Sequence, residues 1–261
     1  RMTEGKVTGA NVSVKLTDAF MQAAIDGKPF VQQYPIDADE PLFKKEISAT
    51  DLWKKIVHNA WKSAEPGVLF WDTILRESVP DCYADLGYRT VSTNPCGEIP
   101  LCPYDSCRLL AINLYSYVVN PFKPDAYFDF DLFKKHVALA QRIMDDIIDL
   151  ELEKIERIMA KIDSDPENED VKHTESVLWQ KIYKKSGQGR RTGVGITAEG
   201  DMLAALGLRY GTEEATEFAE KVHQTVALSA YRSSVEMAKE RGAFEVYDLS
   251  LIHISEPTRQ A

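Results

Sequence analysis

The sequence predicts an α/β fold, on three observations. Strand-like alternation and helix-like spacing of apolar residues follow one another along the chain. Prolines and glycines interrupt these patterns, most of all from Ser78 to Cys107. The 261 residues are 44% hydrophobic, enough for one large unit or two small domains with a sizeable core.

Val12, Val14 and Leu16 alternate as a short strand, and Thr17 offers a hydroxyl cap to a helix that Gly27 ends. Residues 28–47 hold three prolines among charges and read as an irregular connection. Ser48 and Asp51 start a helix on which Leu52, Trp53, Ile56, Val57, Ala60 and Trp61 recur at helical spacing, placing both tryptophans in a core. This helix stops near Pro66-Gly67. From Ser78 to Cys107 every periodic pattern is interrupted, so that stretch reads as loops, and Leu109 to Val119 reads as a buried strand. Asp131 caps a long helix whose stripe runs through Phe133, Val137, Ala140, Ile143, Met144, Ile147, Ile148, Ile155, Ile158 and Ile162. A polar turn from Ser164 to Glu169 then leads to a second helix with Val177, Leu178, Ile182 and Tyr183, making a helical hairpin. The glycines from Gly193 to Gly200 fit neither a dinucleotide fingerprint nor a P-loop, where Asp201 stands in place of lysine. They predict a strand entering a helix from Ala198 to Leu206, followed by an amphipathic helix from Glu213 to Arg241 with His223 as a surface or core residue.

The net charge of −10 argues against a nucleic-acid partner, which requires a basic face. The pairs Lys184-Lys185 and Arg190-Arg191 read as solvated surface charge. No run of about eighteen apolar residues suggests a membrane span, and a cytoplasmic setting is expected. Four cysteines, Cys82, Cys96, Cys102 and Cys107, cluster in an otherwise thiol-free chain. Their spacing lacks paired zinc knuckles, so no metal site is expected.

Asn94, Cys96 and Glu98 stand at alternate positions, which extended backbone would turn to one side. A thiol, a carboxylate and an amide so placed can supply nucleophilic or radical chemistry, move a proton and hold a hydroxyl. The same residues also fit a buried cysteine in a Pro/Gly turn beside a surface glutamate.

The stretch Asn94-Pro95-Cys96-Gly97-Glu98, followed by Cys107 within Ser106-Cys107-Arg108-Leu109-Leu110-Ala111-Ile112-Asn113-Leu114, resembles the active-site region of ribonucleotide reductase catalytic chains. Pro95 and Gly97 make it more similar to the class II, adenosylcobalamin-dependent type than to class I chains, which use a separate radical subunit. The stretches Asn11 to Met21, Trp53 to Trp61 and Gly189 to Thr197 point the same way. A non-catalytic helical interaction module would explain the long stripe after Asp131 but not the motif.

The resemblance implies part of a ten-stranded α/β barrel spanning residues 1–248. It implies reduction of ribonucleotides, as diphosphates, to deoxyribonucleotides by a thiyl radical on Cys96, with Glu98 taking the 3'-hydroxyl proton and Asn94 holding ribose hydroxyls. Cys107 matches one member of the family's redox pair, whose partner lies upstream of this chain; Cys82 and Cys102 match no family position. Adenosylcobalamin, nucleotide effectors and a thioredoxin-like or dithiol reductant are implied for the parent, and a homodimer is allowed. The effector region, the phosphate-holding strands and the C-terminal thiols are expected outside this chain, leaving it inactive alone and, through open strand edges, prone to aggregate. Leu249 to Arg259 resembles a translated sequencing-library adapter, so residues 249–261, His253 included, are set aside as a non-native tail.

Overall fold

A computed structural model describes residues 9–36, 38–106 and 108–247. The chain forms two compact units, the first within Arg1–Pro103 and the second within Tyr104–His253. The expected tail at 249–261 lies outside the described residues.

In the first unit, β1 (Ser13–Leu16) leads into α1 (Asp18–Asp26), where the Thr17 hydroxyl accepts from the Phe20 N–H at 3.2 Å and Gly27 closes the end at φ 68°. Both caps were legible in the sequence. The segment read as an irregular connection is instead an antiparallel hairpin of β2 (Pro29–Tyr34) and β3 (Phe43–Ser48), in register from Pro29↔Ser48 to Tyr34↔Phe43. Its prolines are compatible with pairing, because Pro29 is the first strand residue while Pro35 and Pro41 sit in the connecting loop. Next, α2 (Ala49–Ser63) starts with the Ser48 hydroxyl accepting from the Asp51 N–H at 3.2 Å and ends at Ala64, ahead of Pro66. After it β4 (Gly67–Phe70) returns parallel to β1, with Ser13 opposite Gly67 and Leu16 opposite Phe70. A Cβ on Gly67 would meet the Ser13 hydroxyl at 2.8 Å, so glycine permits this close pairing. The core holds Leu16, Phe20, Ala24, Ala49 and Ile56, with Phe30 edge-on to Phe20 at 5.3 Å between ring centres. Trp53 packs against this core, whereas Trp61 is 80% exposed, correcting its core assignment. The unit continues through α3 (Trp71–Glu77), a 3-10 helix at Val79–Leu86, and a short antiparallel pair, β5 (Ser92–Thr93) with β6 (Pro100–Leu101).

In the second unit the run expected as one strand divides into β7 (Leu109–Asn113), a 3-10 turn at Leu114–Tyr117 and β8 (Val118–Val119), which pairs with β9 (Tyr127–Phe128). The Asn113 side chain caps the turn by accepting from the Tyr115 N–H at 3.0 Å, which redirects the chain. The long helix α4 (Phe130–Ser164) is capped by Asp129, not Asp131, through a 2.9 Å bond from the Leu132 N–H. It packs against α5 (Glu169–Gly189) as the expected hairpin. Phe133, Val137, Ala140, Met144, Ile148, Ile155 and Ile162 are buried along it, while Ile143 and Ile147 are exposed. Then β10 (Gly193–Thr197) pairs in parallel with β7, Gly193 opposite Leu109, and feeds α6 (Glu199–Ala205) and α7 (Glu213–Arg241). Ile112, Leu114, Met202 and Val222 join the α4 stripe in the core.

The architecture is mixed α and β, as expected. The described strands form five separate two-stranded sheets, and no closed barrel occurs among the described residues. No described helix is long and apolar enough to cross a membrane.

Candidate active site

The motif stands on a hairpin rather than on extended backbone. Val91 donates its N–H to the Leu101 carbonyl at 2.9 Å, Ser92 and Thr93 pair with Leu101 and Pro100, and Asn94 donates its N–H to the Ile99 carbonyl at 3.1 Å. The tip is a β-turn in which the Gly97 N–H donates to the Asn94 carbonyl at 3.0 Å. Pro95 occupies the second turn position, which suits its fixed φ, and Gly97 takes the fourth at φ 87°. A Cβ on Gly97 would also come within 3.1 Å of Leu69 on β4.

This turn corrects the reason for the grouping. Asn94 and Glu98 meet because the turn folds the chain back, not because side chains alternate along a strand. The Asn94 amide nitrogen donates to a Glu98 carboxylate oxygen at 2.5 Å, while its amide oxygen accepts from the Ile99 N–H at 2.9 Å. Cys96 is exposed at the tip and Glu98 is exposed beside it. The Pro/Gly turn and surface glutamate of the alternative reading are present, but its cysteine is exposed rather than buried.

The base of the hairpin has two outside holds that the sequence did not announce. Asp81 accepts from both the N–H and the hydroxyl of Thr90, at 2.9 and 2.6 Å. Lys15 donates to the Val91 carbonyl at 2.5 Å, with its ammonium 3.6 Å from the centre of the Trp71 ring. Partial burial holds the Lys15 pKa below the usual lysine range. Asp81 and Thr90 are nine positions apart on irregular backbone, so no periodicity links them.

Cys107 lies outside the described residues, but its neighbour Arg108 is buried. Arg108 forms a two-pronged pair with Glu151 of α4, and also donates to the Ser186 hydroxyl of α5 at 2.7 Å and to the Arg191 carbonyl at 3.1 Å. An arginine opening an apolar strand was a readable signal, since a charge buried there requires an acid. The arginines after α5 are likewise not solvated surface charge. Arg190 bonds Asp145 and Asp149 at 2.7 and 2.8 Å, and Arg191 pairs with Asp105 at 3.1 Å. Burial opposes the charge on Arg190, yet the two carboxylates outweigh it and hold its pKa above the ordinary value.

Cys82 and Cys102 do not join the turn. Cys82 lies on the 3-10 helix, where burial pushes its thiol pKa up, and Cys102 is buried. The carboxylates of Asp145, Asp146 and Asp149 lie within 4.8 Å of one another, but Arg190 and Arg241 already bond them. Cavities of about 440 Å3 beside Asp145 and about 590 Å3 between β10 and α7 include none of Asn94, Cys96 and Glu98.

A family profile described as "Ribonucleotide reductase, barrel domain" matches residues 3–256. The chain is 33% identical over 246 residues to a vitamin B12-dependent ribonucleoside-diphosphate reductase of Thermoplasma acidophilum, covering 94% of this chain and 28% of that protein. It is 30% identical over 252 residues to the Mycobacterium tuberculosis protein of the same name, covering 96% of this chain and 31% of that one. Among solved structures, the class Id ribonucleotide reductase alpha subunit of Actinobacillus ureae superposes with a TM-score of 0.62 at 17% identity, over 90% of this chain and 37% of that one, a likeness of fold. The chain thus spans less than a third of the length of these two curated relatives. By the extent of the profile match, this chain belongs to the ribonucleotide reductase barrel-domain family.

Proposed function

We propose that this chain is part of the catalytic barrel of an adenosylcobalamin-dependent ribonucleoside-diphosphate reductase, and that the Asn94–Glu98 turn is its reacting centre. The observation that carries this reading is the Asn94–Glu98 hydrogen bond beside an exposed Cys96, within a chain of this family.

Each reacting group has a task set by its chemistry. The Cys96 thiyl removes the 3'-hydrogen of the ribose, forming an S–H bond as the C–H bond breaks. Glu98 takes the 3'-hydroxyl proton, the 2'-hydroxyl takes a proton from a thiol of the redox pair and leaves as water, and Glu98 returns its proton to the 3'-oxygen once the two electrons have been delivered. Asn94 carries a larger orienting role than the family likeness implied. Its oxygen is bonded to Ile99 and one N–H to Glu98, so it aims the carboxylate and keeps one N–H for a ribose hydroxyl. Two electrons then come from a dithiol closing to a disulfide, of which Cys107 is one member and a cysteine outside this chain the other. The Cys96 sulfur returns its hydrogen to the 3'-carbon and is a radical again.

Adenosylcobalamin, when bound, supplies the initiating unpaired electron by homolysis of its cobalt–carbon bond. The exposed Cys96 thiol at the hairpin tip would be the group that such a radical source activates. The corrin-holding residues are assigned to none of those described. A thioredoxin-like or dithiol reductant would restore the thiols, in keeping with a cytoplasmic setting, and nucleotide effectors or a homodimer would belong to the parent. The two parallel strand pairs, β1 with β4 and β7 with β10, support membership in a larger barrel.

The test is deoxynucleotide formation by the full-length reductase that carries this segment. Activity with adenosylcobalamin and dithiol, and none with a separate metal-radical subunit, is expected. Activity only with the subunit would make it class I, and activity with neither would contradict the reading.

A further inference from the structure

The hairpin that presents Asn94, Cys96 and Glu98 has only two ladder pairs, Ser92 with Leu101 and Thr93 with Pro100. So short a ribbon is marginal in water by itself, and the position of its tip depends on what holds its base. Two side chains from other elements do so at successive residues. Asp81, on the 3-10 helix, spends both carboxylate oxygens on Thr90, which is only 2% exposed. Lys15, on β1, grips the next carbonyl, that of Val91, while its ammonium rests on Trp71. Val91 in turn donates its N–H to Leu101, so the two holds meet where the hairpin opens.

We propose that Asp81 and Lys15 are positioning residues for the radical reaction, clamping the hairpin base from two sides and so fixing where Cys96 and Glu98 meet the ribose. The proposal rests on the assignment of Cys96 and Glu98 above. Hydrogen transfer to sulfur requires reacting atoms about 3–3.5 Å apart, and a misplacement of about 1 Å can cost on the order of a hundredfold in rate. A clamp several residues from the chemistry therefore acts on the rate of the step rather than on substrate affinity.

Two near-isosteric variants separate clamping from packing. Lys15→Met keeps the stem against Trp71 and removes the donor, while Asp81→Leu keeps a similar volume and removes both acceptors of Thr90. In the full-length reductase each is expected to lower kcat by about tenfold, with KM for the ribonucleotide changed by less than about twofold. Lys15→Arg restores a donor and is expected to recover most of the lost kcat. A second readout is independent of catalysis: in the 261-residue chain, hydrogen exchange at the Val91 amide should quicken by about tenfold in both variants, while that at Ile112 of β7 stays unchanged. Unchanged kcat in both variants would overturn the proposal, whether or not exchange quickens, as would a loss that Lys15→Arg does not reverse. Retained activity in Cys96→Ser would instead refute the assignment of the thiol, and exchange at Val91 would still report the clamp.

Discussion

Cys96, Cys82 and Cys102 carry the same thiol in three surroundings, and the difference predicts their reactivity. Cys96 is exposed, Cys82 is half-buried with its pKa pushed up by burial, and Cys102 is buried. Because the thiolate is the nucleophile, iodoacetamide near pH 8 should label Cys96 first, then Cys82, with Cys102 slowest. Peptide mass spectrometry resolves the sites, and faster labelling of Cys102 than of Cys96 would contradict the described turn. The Glu98 carboxylate, as proton acceptor, should be worth about a hundredfold or more in kcat, read from Glu98→Gln in the full-length reductase. Asn94→Ala should lower kcat less, by roughly tenfold, through loss of the bond that aims Glu98. The residues proposed to react stood out in the sequence because Asn-Pro-Cys-Gly-Glu is a distinctive string. Their arrangement was read in two ways, as alternation on extended backbone or as a Pro/Gly turn, and Pro95 with the positive φ of Gly97 makes the turn.

At the scale of elements, local signals were reliable where one side chain decides the outcome. Thr17 and Ser48 cap their helices through hydroxyls and Gly27 ends α1 in the left-handed region, as read, while the cap of α4 falls two residues before Asp131, at Asp129. Signals failed where distant partners decide. The β2–β3 hairpin was hidden by prolines that fall at its first strand residue and in its connecting loop, and Arg190 and Arg191 looked solvated because their acids lie far off in sequence. The Arg108–Glu151–Ser186 network is another such case, tying the start of β7 to the helical hairpin. Removing Glu151 leaves a guanidinium buried without its acid, so Glu151→Ala should destabilise the chain by about 3–5 kcal/mol in urea unfolding. The paired change of Arg108→Met with Glu151→Leu should recover much of that loss. Gly97→Ala tests the turn in the same assay. The strained φ and the Leu69 contact together should cost about 1–3 kcal/mol, and a neutral result would contradict the described tip.

For the whole molecule, the family and the mixed α and β class were legible, and no closed barrel occurs among the described residues. The two parallel pairs are the kind of unit a larger sheet assembles from, but a barrel needs more strands than these pairs provide among the described residues. The chain covers 28% and 31% of the lengths of its two reductase relatives, and the redox partner of Cys107 is proposed to lie outside it. The isolated chain, given adenosylcobalamin, a ribonucleoside diphosphate and dithiol, should therefore show no sustained deoxynucleotide formation. The proposed thiyl role of Cys96 is tested most directly by turnover of the full-length reductase carrying Cys96→Ser, beside Cys102→Ser as a control. Cys96→Ser is expected to lose activity by about a thousandfold or more while Cys102→Ser stays within about threefold of the parent; turnover retained in Cys96→Ser would refute the thiyl role.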